Sequence, residues 1–100
     1  MSLPSYIHGA SERALMGETI GECFDRISAE HGDNEAVVSV HQGVRYSYAE
    51  LHREVERVAR GLMALGVEKG DRVGVWSPNN VEWMMAQYAT AKMGAILVNI

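Results

Sequence analysis

Cysteine, lysine and proline are scarce in this sequence, which has one cysteine, two lysines and two prolines in 100 residues. Because Cys23 stands alone, no disulfide can form within the chain, and a reducing compartment is compatible with it. The basic residues are spread along the chain, so we expect no face for a nucleic acid or an anionic membrane. No apolar run reaches the roughly 20 residues of a membrane span. These absences together predict a cytoplasmic protein.

The remaining composition is typical of one globular domain or part of one. Hydrophobic residues make up 47% of the chain and charged residues 22%, with a net charge of −4. A chain of this length can bury a modest core. The acidic excess is too small to indicate a cationic partner.

Residues 1–18 show no hydrophobic period, and we expect an irregular lead-in there. The stretch "TIGECFDRISAEH" follows, with Thr19 and Glu22 at the spacing of a capping box. Apolar residues at helical intervals then predict a helix from about Ile20 to Glu30. Cys23 lies within that helix, where a lone cysteine is usually a small core hydrophobe.

The next two segments predict a β-hairpin and a long helix. "EAVVSV" and "VRYSY" are rich in β-branched and aromatic residues, and a turn near Gln42-Gly43 separates them. Ser47 and Glu50 repeat the capping-box spacing, and Gly66 is placed to end the helix in the left-handed conformation. The apolar stripe of this helix comprises Leu51, Val55, Val58, Leu62 and Leu65. The charged residues between them, including Glu56 and Arg60, predict a solvated surface.

The last third of the sequence predicts a strand, a helix and a second strand. The first strand runs from Val73 to Trp76, and the helix extends to about Met93, with either Asn79 or Ser77 as its N-cap. Gly94 ends the helix, and "AILVNI" is a nearly continuous apolar strand. This βαβ pattern implies parallel strands with a right-handed crossover. The fold class is therefore α/β, with a β-hairpin, two amphipathic helices and a βαβ unit.

The strand at 95–100 raises an expectation about the whole protein. Parallel strands are normally buried on both faces and flanked by neighbours. The sequence supplies nothing after Ile100 to cover this strand. We therefore expect the front part of a longer protein, or self-association through the strand at 95–100.

The loop at residues 77–80 is a candidate ligand site, because ligands often bind where a strand of an α/β sheet leads into a helix. The loop has no glycine and no P-loop pattern, so capping and turn formation explain it. The histidines do not follow metal-ligand spacing, and two of them are expected at a turn and on an exposed helical face; they are His8, His31, His41 and His52. The residues alone predict no catalytic, cofactor-binding or metal site.

Three stretches nevertheless form a familiar series. "YSYAEL", "GLMALGVEKGDRVGVWSPNNVEW" and "QYATAKMGAILVNI" resemble, in order and spacing, the N-terminal part of AMP-forming acyl-CoA synthetases, the adenylate-forming AMP-binding superfamily. The upstream stretches "YIHGAS" and "ETIGECFDR" are most similar to the medium-chain fatty acyl-CoA synthetases. The resemblance spans roughly residues 6–100, and it implies that residues 19–100 begin a large AMP-binding domain that continues beyond residue 100 in the family.

The resemblance also implies a reaction for the parent enzyme. Such enzymes use Mg-ATP to convert a carboxylate to an acyl-adenylate and pyrophosphate, and then pass the acyl group to coenzyme A. The family motifs that hold ATP, Mg²⁺ and the reacting groups match no position of this sequence. We therefore expect a scaffold segment that binds none of them and is inactive alone. Aryl-CoA ligases and fatty acyl-AMP ligases share this region and remain alternatives, and a small non-enzymatic α/β interaction module is the alternative from another class.

Overall fold

The computed structural model describes residues 3–7 and 9–100, and the prediction for His8 lies outside these residues. The described residues before Ile20 form neither helix nor strand. The elements follow in the predicted order and confirm the α/β class: α1 (Ile20–Glu30), β1 (Glu35–Ser39), β2 (Val44–Ser47), α2 (Tyr48–Ala64), β3 (Arg72–Val75), α3 (Val81–Met93) and β4 (Ile96–Asn99).

Helix α1 begins and ends where the sequence predicts. The Thr19 hydroxyl accepts a hydrogen bond from the Glu22 backbone N–H, and the Glu22 carboxylate accepts one from the Thr19 N–H, which completes the capping box. Phe24 and Gly21 are buried, whereas Ile20 is exposed. Gly21 lies directly against α3, since a Cβ at this position would stand 3.1 Å from the Cα of Lys92.

Strands β1 and β2 form the predicted antiparallel hairpin. They pair from Ser39 and Val44 outward, with a register shift between Glu35 and Val37. The turn closes when the Gly43 N–H donates to the Val40 carbonyl oxygen at 3.1 Å. Gly43 has a φ of 65°, a conformation that glycine adopts without a steric penalty.

Helix α2 confirms its predicted start and stop, with two corrections. The Ser47 hydroxyl accepts from the Glu50 N–H, but the second half of the predicted capping box is not found among the described residues. At the other end, Gly66 is left-handed and the Val67 N–H donates to the Leu62 carbonyl oxygen. Leu65 is 83% exposed rather than part of the stripe, because it is the C-cap residue and lies past the end of the helix.

The N-cap of α3 also differs from the prediction. Asn80 is the N-cap, in place of the predicted Asn79 or Ser77, and its side chain accepts from the Trp83 N–H. Strands β3 and β4 are parallel, with Val73 opposite Leu97, so the βαβ unit is confirmed. Gly94 caps the C-terminal end in the left-handed conformation, as predicted.

The core lies where the three helices and the hairpin meet. Helices α2 and α3 pack on each other, α1 packs on both, the hairpin packs on α2, and the β3–β4 pair packs on α3. The buried apolar side chains are Phe24, Leu51, Val55, Ala59, Val81, Met85 and Ala89. None of the described helices is both long and apolar enough to cross a membrane.

The β3–β4 pair is covered on one face only. The side chains that alternate toward α3 are partly buried, including Val73, Val75 and Leu97. The opposite face, here called the outer face, exposes Ile96 and Val98 of β4. The exposed side chains of Trp76 and Ile100 follow directly after the strands, since β3 ends at Val75 rather than at Trp76 as predicted. Within the strands the exposed apolar side chains belong to β4, because the outward residues of β3 are Arg72 and Gly74.

Candidate functional site

The loop from Ser77 to Asn80 connects β3 to α3 and uses its polar groups internally. The Asn80 Oδ1 atom accepts from the Trp83 N–H at 3.1 Å, and the Asn80 Nδ2 atom donates to the Ser77 hydroxyl oxygen at 3.0 Å. The Ser77 hydroxyl in turn donates to the Pro78 carbonyl oxygen at 2.9 Å. The polar side chains of Ser77 and Asn80 are therefore engaged in local structure.

Gln42, at the hairpin turn, completes the cap of α3 from a distant part of the sequence. Its Oε1 atom accepts from the Val81 N–H at 3.0 Å and from the Ser39 hydroxyl at 2.6 Å. Its Nε2 atom donates to the Glu82 carboxylate at 2.8 Å, and this hydrogen bond lowers the pKa of Glu82. No local sequence signal predicts this contact, because 39 positions separate Gln42 from Val81.

These contacts argue against a phosphate at the start of α3. A phosphate site at a helix N-terminus uses backbone N–H groups that have no other partner. Here the N–H groups of Val81 and Trp83 already donate to side chains of the chain itself. Glu82 adds a carboxylate to the first turn, which repels an anion. These engaged donors favour the interpretation of the corner as scaffold, and the absence of a nucleotide contact stays a prediction.

The second polar cluster was not predicted and joins all three helices. Asp25 lies on α1, His52 and Glu56 lie on α2, and Lys92 lies on α3. The Lys92 Nζ atom donates to Asp25 Oδ1 and, at 2.6 Å, to Glu56 Oε1; it lies 3.3 Å from His52 Nε2. His52 Nε2 is 2.8 Å from Asp25 Oδ1. We call these four residues the Lys92 cluster.

Burial and charge act in opposite directions on the Lys92 cluster. Desolvation alone would lower the pKa of Lys92, but its hydrogen bonds to Asp25 and Glu56 outweigh it and raise the pKa. Desolvation likewise opposes the net lowering of the Asp25 pKa, which the bonds from Lys92 and His52 produce. The Lys92 hydrogen bond is the largest cause of the lowered pKa of Glu56. All three shifts favour the charged forms, as expected for a network of ion pairs.

His52 also departs from the sequence prediction of a solvated histidine. Its ring stacks on Phe24 with 5.5 Å between centroids, and Phe24 stacks on Tyr88 at 4.6 Å. Through this stack His52 joins the Lys92 cluster, of which it is a member, to the apolar core. By contrast, His31 and His41 are exposed, in agreement with the prediction.

Two further side chains of nucleophilic type are Ser28 and Cys23, both on α1. The buried Ser28 hydroxyl has no hydrogen-bond partner among the described residues, although it lines the same cleft as Asp25 and His52. A serine without a base within hydrogen-bond reach is a weak nucleophile. Cys23 is half-buried, and its Sγ atom lies 3.8 Å from the Arg26 guanidinium. Neither residue forms a catalytic arrangement in the described part of the chain.

An apolar cleft opens beside α1. Its volume is about 310 Å³, and it lies between the lead-in, α1 and the first turn of α2. Residues lining it include Met16, Ile27, Tyr48 and Tyr88. Glu18, which also lines the cleft, is paired with Arg26 across 2.5 Å. The cleft therefore offers apolar surface and little chemistry.

Comparison with known proteins gives a consistent result. The family model described as AMP-binding enzyme matches residues 24–100. The mitochondrial medium-chain acyl-CoA ligase ACSF2 of Rattus norvegicus is 43% identical over 96 residues, which are 96% of this chain and 16% of the relative. The corresponding ligase of Danio rerio is 44% identical over the same shares. The chain thus spans about one sixth of the length of these relatives.

Solved structures agree with the sequence relatives. The fatty acyl CoA synthetase of Mycobacterium tuberculosis has a TM-score of 0.79 and 36% identity, over 82% of this chain and 16% of that one. The N-terminal subdomain of NpsA from Klebsiella oxytoca has a TM-score of 0.77 and 26% identity, over 82% and 21% of the two chains. The matches in sequence, in element order and in three-dimensional structure lead to one conclusion. The chain belongs to the AMP-binding enzyme family.

Proposed function

We propose that this chain is a supporting segment of the large domain of an ATP-dependent fatty acid–CoA ligase. The observation that carries the proposal is the 43% identity to a medium-chain acyl-CoA ligase over 96% of the chain. The parent enzyme would convert a carboxylate and ATP to an acyl-adenylate and pyrophosphate, and then transfer the acyl group to coenzyme A. The preferred substrate is a medium-chain fatty acid, as the names of these relatives state for them.

The role proposed for the segment is structural. The polar groups that face the start of α3 are engaged within the chain, and the Lys92 cluster already contains its own cation. ATP, Mg²⁺ and coenzyme A would accordingly be bound by other parts of the parent enzyme. The 100-residue chain alone is then expected to be catalytically silent.

Two related activities compete with this proposal. Aryl-CoA ligases and fatty acyl-AMP ligases are members of the same superfamily and share the motifs of this region. The outer face favours a further, non-enzymatic candidate, a self-associating module. It exposes Ile96 and Val98 on β4, which has β3 as its single neighbouring strand among the described residues. Exposed apolar strands of this kind pair readily with another chain.

Pyrophosphate release distinguishes these possibilities. The full open reading frame and the 100-residue chain are each given Mg-ATP, coenzyme A and carboxylates from acetate to palmitate, with benzoate included. We expect turnover by the long form only, with a maximum at medium chain lengths. Turnover with benzoate alone would favour an aryl-CoA ligase, and adenylate formation without thioester formation would favour an acyl-AMP ligase. An absence of turnover in both forms would contradict the ligase proposal.

A cytoplasmic location is proposed on the sequence features alone. The relatives from Rattus norvegicus and Danio rerio are named as mitochondrial, so the competing location is the mitochondrion. Imaging of the tagged full-length protein in its own cells decides between them. A mitochondrial signal would overturn the cytoplasmic proposal without affecting the proposed chemistry.

A further inference from the structure

The Lys92 cluster places one cation among hydrogen-bond acceptors from the other two helices. The Lys92 side chain is only 14% exposed, whereas those of Asp25 and Glu56 are 51% and 36% exposed. Glu56 also lies 3.6 Å from the Arg60 guanidinium, at the solvent side of the cluster. The ammonium group is therefore the inner member of the cluster, and the carboxylates lie around it.

Without the ammonium, the three remaining side chains form a set of metal ligands. One donor atom from each of Asp25, His52 and Glu56 can be chosen so that all three lie within 4.8 Å of one another. The His52 Nε2 atom is 2.8 Å from Asp25 Oδ1 and 3.7 Å from Glu56 Oε1. Ligand atoms around tetrahedral Zn²⁺ are separated by about 3.3 Å, which follows from metal–ligand bonds of about 2 Å. The two distances from His52 Nε2, 2.8 and 3.7 Å, lie on either side of that spacing.

We propose that the Lys92 ammonium is an internal cation that latches α1 onto α2 and α3, and that it occupies what is otherwise a site for a divalent transition metal. The inference does not depend on the acyl-CoA ligase proposal, because it concerns only contacts among the three helices. An exposed ion pair would add little to such a latch. Here, however, the ammonium is largely buried, and each carboxylate that it bonds belongs to a different helix.

The backbone packing explains why the latch is formed at Lys92. Gly21 of α1 rests on the Lys92 backbone, so the two helices approach closely at this residue. One turn later, Asp25 meets the end of the lysine side chain. Phe24, which lies between Gly21 and Asp25 in the sequence, stacks on His52 and on Tyr88. The same stretch of α1 thus supplies the close approach, the aromatic stack and one of the carboxylates.

Substitution of Lys92 with metal rescue tests both parts of the proposal. In Lys92→Ala, we expect the amides of α1 to exchange hydrogen about tenfold faster than in the native chain, since charge-assisted hydrogen bonds are lost. Added Zn²⁺ should bind one ion per chain and slow that exchange again. The native chain should bind no Zn²⁺ at the same concentration. Hydrogen exchange with mass spectrometry and isothermal titration calorimetry supply the two readouts.

Two controls accompany the test. Lys69→Ala removes the other lysine of the chain, which is exposed, and should neither loosen α1 nor create Zn²⁺ binding. The double variant Lys92→Ala with His52→Ala removes the nitrogen ligand and should abolish the rescue. Lys92→Met keeps an apolar stem in the buried position and serves as a second variant if the alanine variant does not fold.

Each result supports or overturns the proposal. Zn²⁺ binding by a Lys92 variant, including Zn²⁺-induced folding of an unfolded one, supports it. Equal Zn²⁺ binding by the native chain would show that the ammonium does not fill the site. Failure of both Lys92→Ala and Lys92→Met to bind Zn²⁺ would overturn the metal-site assignment. Unchanged exchange in α1 of a folded variant would overturn the latch.

Discussion

The helical region, which comprises α1, α2 and α3, and the β3–β4 pair contain similar apolar side chains but bury them to different degrees. In the helical region, Leu51 and Val55 are 2% and 0% exposed, at the meeting point of several elements. In the parallel pair, Ile96 and Val98 are 45% and 40% exposed on the outer face. The helical region therefore buries much of its apolar surface within the chain, whereas the parallel pair buries apolar surface on one face only.

This difference singles out the outer face of the β3–β4 pair as the surface that further residues could cover. Parallel strands occur almost always with both faces covered, because the helices of βαβ units lie on both sides of the sheet. In this chain α3 covers one face, and Ile96 and Val98 on the other are exposed. The family relationship gives a reason, since the relatives are about six times as long as the matched segment. We infer that the outer face is covered by other parts of the parent enzyme.

The largest expected effect on the free energy of unfolding comes from a substitution in the core of the helical region. Leu51→Ala removes a buried side chain from α2 and should lower the free energy of unfolding by about 2–5 kcal/mol. The matched control, Leu65→Ala, changes the same residue type beyond the end of that helix, where it is exposed. Its effect should stay within about 0.5 kcal/mol. Urea denaturation of both variants measures the contrast, and equal effects would contradict the assignment of the core.

The next effect concerns the junction between the two regions. Asn80→Ala removes the N-cap of α3 and should cost about 1 kcal/mol in the free energy of unfolding. Asn79→Ala, one residue earlier, removes an exposed amide that does not cap the helix and should cost much less. Thermal unfolding of the two variants tests the assignment. A larger loss in Asn79→Ala would place the cap where the sequence first indicated it.

A smaller effect, which depends on pH, is expected at the Asp25 carboxylate in the helical region. Because the Asp25 pKa is lowered in the folded chain, this carboxylate contributes stability at neutral pH, and that contribution is lost as the pH falls through the folded-state pKa. The melting temperature of Asp25→Asn should therefore be below that of the native chain at neutral pH. The gap should close below about pH 4. Asp33→Asn, in an exposed turn, is the control, and a gap that widens in acid would contradict the sign.

The smallest effect on stability is expected at the outer face. Ile96→Thr with Val98→Thr preserves β-branched residues and should change the free energy of unfolding by less than about 0.5 kcal/mol. It should nevertheless reduce self-association of the 100-residue chain, measured by sedimentation velocity. Met63→Thr alters an exposed apolar residue on α2 and should leave self-association unchanged. Equal reduction by both changes would show that the outer face has no special role.

Local sequence signals predicted most of the fold. The Thr19 and Glu22 capping box, the stop at Gly66 and the turn at Gly43 all depend on a few neighbouring residues, and the structure confirms each. Periodicity failed at the ends of helices, because Ile20 at the start of α1 and Leu65 after α2 are both exposed.

Contacts between distant residues were not predictable in this way. Gln42 reaches the first turn of α3, and Lys92 meets Asp25 across 67 positions. Gln42 and Lys92 are polar and far in sequence from the residues they contact. Neither capping patterns nor hydrophobic periodicity therefore indicates where their long side chains point. Their placement depends on how the elements pack. The absence of catalytic residues stays a prediction, which the occupied donors at α3 support.

The most direct test of the scaffold role is the ATP dependence of the full-length enzyme carrying Asn79→Ala with Asn80→Ala. If the loop supports the fold without contacting ATP, the melting temperature should fall while the Michaelis constant for ATP stays within about twofold of the native value. A Michaelis constant for ATP raised about tenfold or more, with an unchanged melting temperature, would show that the loop binds the nucleotide and would contradict the account.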